Sequence, residues 1–350
     1  MILLFILFLI IFNVYLKKKE YEIDLFPVIV ILLILYAGLK YNYSYDYDNY
    51  FIHFNEINTF NDVIHTNFEK GYSILLFIFK TLGLGFNSLL LFIAFLSIKL
   101  KTKVINRFSV FPEVSLLIYF LLFYINNDVE QIRHGISIAF CFYSLVFFMK
   151  NNNQAKVKSL LLIILAISFH ISALLFIPVY FLKDKKINKK VCIAIFIISF
   201  ALSFINYFNI LDYINNNFIH SLYLAEKIKI YANESMNLIN TTLIIKTFIL
   251  SIFYFNVYDS NNKLHRILFN VYFLGIIFTN IFNSIPILAA RGTIYMRYME
   301  LLMIPLYIKS IENKENKKYH YLILFMIFAY YFIRFFITLI NPEYFYYTSI

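Results

Sequence analysis

The chain has 350 residues, of which 61% are hydrophobic and only 15% charged, with a formal net charge of +11 and a mean hydropathy of +0.72. An ordinary soluble domain is excluded, because it needs a charged surface that this composition cannot supply. A transmembrane barrel is excluded by apolar runs of about twenty residues that do not alternate, and nucleic-acid binding is disfavoured by cations that cluster in short loops between those runs.

Residues 1–16 have the look of a signal-peptide core. No basic segment precedes them and Lys17-Lys18-Lys19 follow, so an uncleaved first span with its amino terminus outside is expected. A second span over 25–39 returns outward to a loop at about 40–71, rich in Tyr, Asn and Asp. Residues 72–83 are apolar but short. If they crossed, Lys99, Lys101, Lys103 and Arg107 would fall outside, so a re-entrant or interfacial helix is expected there, shielded by protein or a wet cavity. Span 86–100 then leads inward, 110–125 outward, 126–130 form a short outer loop, and 131–149 come back. Basic loops flank 159–182 on both sides, so this stretch is expected to turn back near His170 as two short helices. Span 191–206 leads to a second outer loop at 207–238, followed by spans 239–258 and 267–285. A short loop with Pro286 and Arg291 precedes spans 293–309 and 319–340.

This path predicts an all-α polytopic membrane protein, one integral domain over 1–350 with about twelve crossings and a re-entrant helix. Cys141 and Cys192 fall inside spans and make no disulfide framework. Of the 31 Lys and Arg, the path leaves Lys40, Lys70, Lys80, Arg133, Lys227, Lys229, Lys246, Arg291, Arg297 and Arg334 outside cytoplasmic loops. Topology does not account for these, so they are the candidates for function.

Arg133 opens a span in Glu130-Gln131-Ile132-Arg133-His134-Gly135. An intramembrane arginine faces a cavity or a partner, and its planar fork suits phosphate; the alternative is interfacial snorkelling or a pair with Glu130. Arg291 and Arg297 flank Tyr295 at the outer end of another span. They suit an outward anion site with Arg133, or interfacial anchoring with Tyr295 and Tyr298. His170 falls at the expected turn, as a structural or a catalytic histidine. In the first outer loop Asp46-Tyr47-Asp48-Asn49-Tyr50 sets carboxylates among aromatics, as a sugar site or an exposed loop would. Asp46 could serve as general base. Glu69, before Gly71-Tyr72, is a second outer carboxylate. No P-loop, dinucleotide fingerprint or zinc spacing is present.

Taken in order, Asp46-Tyr47-x-x-Tyr50, Glu69-x-Gly71-Tyr72, Ile132-Arg133-His134-Gly135, Phe169-His170-Ile171-Ser172-Ala173-Leu174 and the Arg291–Tyr295 pair resemble the EpsG family of polysaccharide polymerases. That family is related in role to the Wzy O-antigen polymerases, and the resemblance spans nearly the whole chain. Two departures stand out: Lys40 is the nearest base where the family has an arginine, and His134 replaces the family's glutamine. The resemblance implies a GT-C-like integral membrane glycosyltransferase of a bacterial inner membrane. It would join undecaprenyl-pyrophosphate-linked repeat units at the periplasmic face into O-antigen, capsule or exopolysaccharide, alongside a flippase and a chain-length regulator. Arg133, Arg291 and Arg297 would take pyrophosphate. Asp46 or His170 would be the base, with Asp46 preferred, and Tyr47, Tyr50, Glu69 and Tyr295 would bind substrate. No cofactor is implied and no metal is required, because arginines can replace one, although Asp46 and Asp48 could bind one. A lipid-linked oligosaccharide flippase, and a ligase or single-sugar glycosyltransferase, are the rival readings.

Overall fold

The computed structural model describes residues 1–40, 46–205, 241–283, 286–312 and 314–340, and among them every regular element is helical. The expected outer loop at 207–238, the start of the Tyr-rich stretch at 41–45 and the tail at 341–350 lie outside the described residues. Contacts group the chain into two compact units, one of Met1–Leu174 with Leu301–Phe345 and the other centred on Leu175–Glu300.

In the first unit, α1 (Ile2–Lys18) and α2 (Phe26–Gly38) agree with the first two expected spans. The loop expected at about 40–71 is instead built from two short helices, α3 (Tyr47–Glu56) and α4 (Phe60–His65). Buried Tyr47, Tyr50, His53 and Phe54 share one face of α3 at helical spacing. A reciprocal Thr59–Asp62 capping box starts α4. The short apolar stretch is α5 (Lys70–Thr81), whose 12 residues rise only about 18 Å.

Helix α6 (Phe86–Phe108) runs past the expected end at residue 100, which corrects the placing of Lys101 in a cytoplasmic loop. Lys101 is fully buried within the helix. Its ammonium reaches back toward the helix N-terminus, the direction in which helical side chains lean, and meets Asp128. Helix α7 (Pro112–Tyr119) continues as a π-helical segment over Phe120–Glu130, so the expected outer loop at 126–130 is helical, with Asn126, Asn127 and Asp128 buried. Each explanation is the same: a polar residue does not end a helix when tertiary partners answer it. After Gln131 the chain reverses into α8 (Ile132–Tyr143) and a short α9 (Leu145–Phe148). Helix α10 (Asn153–Phe169) is capped by Asn152 and stops at His170, whose backbone is extended at φ −156 and ψ 123. The predicted break therefore occurs at His170.

A 3-10 segment over Ile171–Phe176 carries the chain into the second unit, which continues with α11 (Ile177–Leu182) and α12 (Lys189–Ile205). Helices α13 (Thr241–Asn256) and α15 (Pro286–Arg297) both pack on α14 (Lys263–Ile281). Arg291 therefore sits within a helix, not in the expected loop. The expected span 293–309 is interrupted at Tyr298–Met299 before α16 (Glu300–Ile311); from Leu301 the chain belongs to the first unit again, which includes α17 (Lys317–Ile340). Among the described residues, α14 and α17 are long and apolar enough to cross a bilayer, and several shorter apolar helices accompany them. The apolar exposed faces of α1, α2, α10 and α12 suit a hydrocarbon solvent. Cys141 and Cys192 are free thiols.

Candidate functional site

Three helix ends in the first unit meet around Arg133. The first turn of α8 carries Arg133 and His134, the start of α5 carries Glu69, and the end of α10 carries His170. Two glycines let these ends approach. A Cβ at Gly71 would collide with the backbone and hydroxyl of Ser168 on α10, and one at Gly135 with the carbonyl of Asn127. The glycines in Glu69-x-Gly71-Tyr72 and Arg133-His134-Gly135 are thus where backbones touch.

Arg133 Nη1 donates to Glu69 Oε2. The guanidinium lies 4.6 Å from the Phe68 ring centroid, 5.4 Å from Tyr50 and 6.0 Å from Tyr72, three aromatic walls of a cation cage. The Tyr50 side chain also hydrogen-bonds the guanidinium. The imidazole of His53 also stacks on Phe68, with ring centroids 3.8 Å apart. His53 Nε2 lies 3.1 Å from Ser73 Oγ. Burial holds the His53 pKa below its ordinary value, the nearby Arg133 charge adds to this, and Glu56 opposes it. The cage is not sealed, since the Arg133 and Glu69 side chains keep 23% and 21% exposure. Arg133 Nε has no acceptor among the described residues. One side of the fork is therefore held while donor capacity remains for an anion.

His134 and His170 face each other with ring centroids 4.6 Å apart. His170 Nδ1 lies 2.7 Å from Ser172 Oγ, and His134 Nδ1 lies 3.2 Å from Gln131 Oε1. Asp46 is the half-buried N-cap of α3 and interacts electrostatically with Lys40. No group of three or more His, Cys, Asp or Glu positioned for a metal occurs among the described residues.

The structure thus brings Arg133, Glu69, Tyr50 and His170 to one region of the first unit, with Asp46 one turn before Tyr50 on α3. Tyr47 and Tyr50 are buried, and their faces meet Phe86, Tyr72 and Arg133, so neither presents a free stacking platform for sugar. Arg291, Arg297 and Tyr295 belong to the second unit. Tyr295 is a fully buried core ring beside Phe176. Arg297 Nε donates to Glu300 Oε1 at 2.9 Å, and the Tyr272 hydroxyl donates to the same oxygen at 2.7 Å. The Glu300 carboxylate thus meets the Nε side of this guanidinium, while its Nη2 has no hydrogen-bond acceptor among the described residues. In the same unit Lys246 Nζ donates to Thr279 and Thr293 hydroxyls, each at 3.1 Å.

Sequence reasoning missed Phe68 and His53 because the region reads as a loop. The signal was there in the spacing of Tyr47, Tyr50, His53 and Phe54, which repeats as an amphipathic helix does.

Residues 23–349 match the family model described as the EpsG family. No curated protein and no solved structure matches the chain.

Proposed function

The chain belongs to the EpsG family of Wzy-type polysaccharide polymerases, and from that premise we propose that it polymerises undecaprenyl-pyrophosphate-linked repeat units at the periplasmic face of a bacterial inner membrane, with Arg133 as the principal pyrophosphate ligand. The caged guanidinium carries this reading.

In the reaction an acceptor-sugar hydroxyl attacks the anomeric carbon of the lipid-linked donor. The new glycosidic bond forms as the bond to pyrophosphate breaks. The hydroxyl proton passes to a base, and the lipid pyrophosphate departs with the bonding electrons. Negative charge therefore builds on the leaving group while the sugar takes on oxocarbenium character. A preorganised guanidinium in a poorly hydrated site stabilises that charge by about 3–4 kcal/mol, the size seen for a single oxyanion-hole donor. Phe68, Tyr50 and Tyr72 do the preorganising, fixing the plane of Arg133 before substrate arrives. Glu69 then has two states: it holds Arg133 in the empty site and is released to sugar hydroxyls once pyrophosphate takes its place. His170, supported by Ser172 and facing His134, is one candidate base, and Asp46 at the start of α3 is the other. Arg291 is the second cation to test for pyrophosphate binding.

In a deletion strain complemented with Arg133→Ala at wild-type protein levels, lipid should be capped with a single repeat unit, with no long polymer. Normal polymer length would remove the assignment. Long polymer left unattached would identify a ligase instead, and repeat units trapped on the inner face a flippase.

A further inference from the structure

Beside this site the first unit contains a cleft of about 990 Å³, at the upper end of the roughly 300–1,000 Å³ typical of small-ligand sites. Its walls come from the start of α1, from α2, from the π-helical segment and from the end of α17, and include Phe5, Leu32, Leu35 and Leu39. Its charged side chains are Lys40 and Glu130. In a bilayer a hydrocarbon chain fills such a groove whatever its head, so the head must be read from the polar groups.

Lys40 is 6% exposed, and its Nζ has no hydrogen-bond partner among the described residues. Burying an ammonium without an acceptor is costly. The other buried lysine of this unit, Lys101, meets Asp128 at 2.7 Å and Ser97 at 3.1 Å. Asp128 is thereby spent on Lys101, and Asp46 and Glu130 act on Lys40 only beyond ion-pair distance among the described residues. An ammonium held dry inside a lipid-sized groove suits a phosphate that arrives on a hydrocarbon tail. Glu130 disfavours a bare phosphate and accepts hydroxyls from a sugar attached to it. Asp46, which interacts with Lys40, caps α3, and Tyr50 one turn later touches the Arg133 guanidinium. A head seated on Lys40 is therefore a neighbour of the proposed catalytic site.

We propose that this cleft is a second lipid subsite, taking a lipid whose head is a sugar-bearing phosphate, with the phosphate on Lys40, the sugar hydroxyls toward Glu130 and the tail along Leu32, Leu35 and Leu39. Its use as the acceptor subsite, alongside the donor at Arg133, rests on the polymerase reading; binding in the cleft does not.

The test uses the full chain, purified in detergent and returned to nanodiscs. The probes are a polyprenyl monophosphate carrying one hexose, the polyprenol of the same length and the tail-free hexose phosphate, and lipid retention is read by native mass spectrometry. The wild-type chain should retain the charged lipid over polyprenol by about tenfold or more, the scale of one charge-assisted contact. Lys40→Gln should reduce that preference to about twofold or less, while Lys40→Arg keeps it. Leu35→Trp, which fills the groove and leaves its charge untouched, should lower retention of both lipids several-fold. The same comparisons are made in an Arg133→Ala background, which removes the donor-site ligand: the charged lipid still retained there should show the same Lys40-dependent preference over polyprenol, so that loss of polymer in Arg133→Ala and loss of lipid in Lys40→Gln report separate failures. The proposal is overturned if Lys40→Gln or Leu35→Trp retains lipid as the wild type does, if the tail-free hexose phosphate competes equally, or if the Lys40-dependent preference is absent in the Arg133→Ala background.

Discussion

Two ion pairs in the first unit look alike on paper and behave as opposites. Lys101–Asp128 is closed. Both side chains are 0% exposed, and the Asp128 oxygens accept from Lys101 at 2.7 Å, Ser97 at 2.5 Å and Tyr119 at 2.7 Å. Arg133–Glu69 is open. Both partners keep about a fifth of their surface, the cation rests on aromatic faces, and one donor has no acceptor among the described residues. The difference separates a charge that holds helices together from one poised for a ligand: the first has every acceptor position supplied by protein, the second keeps spare capacity beside an opening.

The contrast can be broken first at the closed pair. Asp128→Ala strands a buried ammonium and should cost about 3–5 kcal/mol of stability, read as a large fall in melting temperature in detergent. The double variant Lys101→Met with Asp128→Leu should recover most of it. If Asp128→Ala melted like the wild type, the pair would not be structural. At the open pair the expected effect moves from stability to chemistry. Arg133→Lys keeps the charge but loses the planar fork, so its melting temperature should stay close to wild type while polymer output falls by roughly tenfold or more. Equal losses of folding and activity would make the Arg133 pair another brace. The smallest effect concerns His53, which stacks on Phe68. His53 has a folded pKa below its unfolded value, so it is neutral in the fold, and its contribution is present above the ordinary histidine range and lost as pH falls through the folded pKa. Between pH 7.5 and 5.5 the wild-type melting temperature should therefore fall more than that of His53→Phe, which keeps the stack on Phe68. Parallel curves for the two proteins would exclude His53 as the source.

Much of the helix plan was legible from local rules. Apolar run length placed α2, basic loops on both sides forced the break at His170, and Arg133 was identified as a stray charge at the start of a span. The pairings were not legible. Lys101 read as a cytoplasmic anchor because a cation near the end of an apolar run usually is one, and nothing nearby in the chain says that Asp128, 27 residues away, will meet it. Tyr47 and Tyr50 read as a sugar platform because an aromatic, acidic stretch carries no label saying which way its rings face; on α3 they face inward. The contact of Arg297 with Glu300 was not legible either, because Glu300, three residues on, lies across a helix break that periodicity does not reveal.

The sequence by itself determined that this chain is helical, suited to a membrane and a member of its family, because these follow from composition, run length and local motifs summed along the chain. Tertiary structure decided which charges are spent and which remain available. That depends on the acceptors that converge from distant segments, and in a medium of low dielectric those few contacts outweigh any local preference.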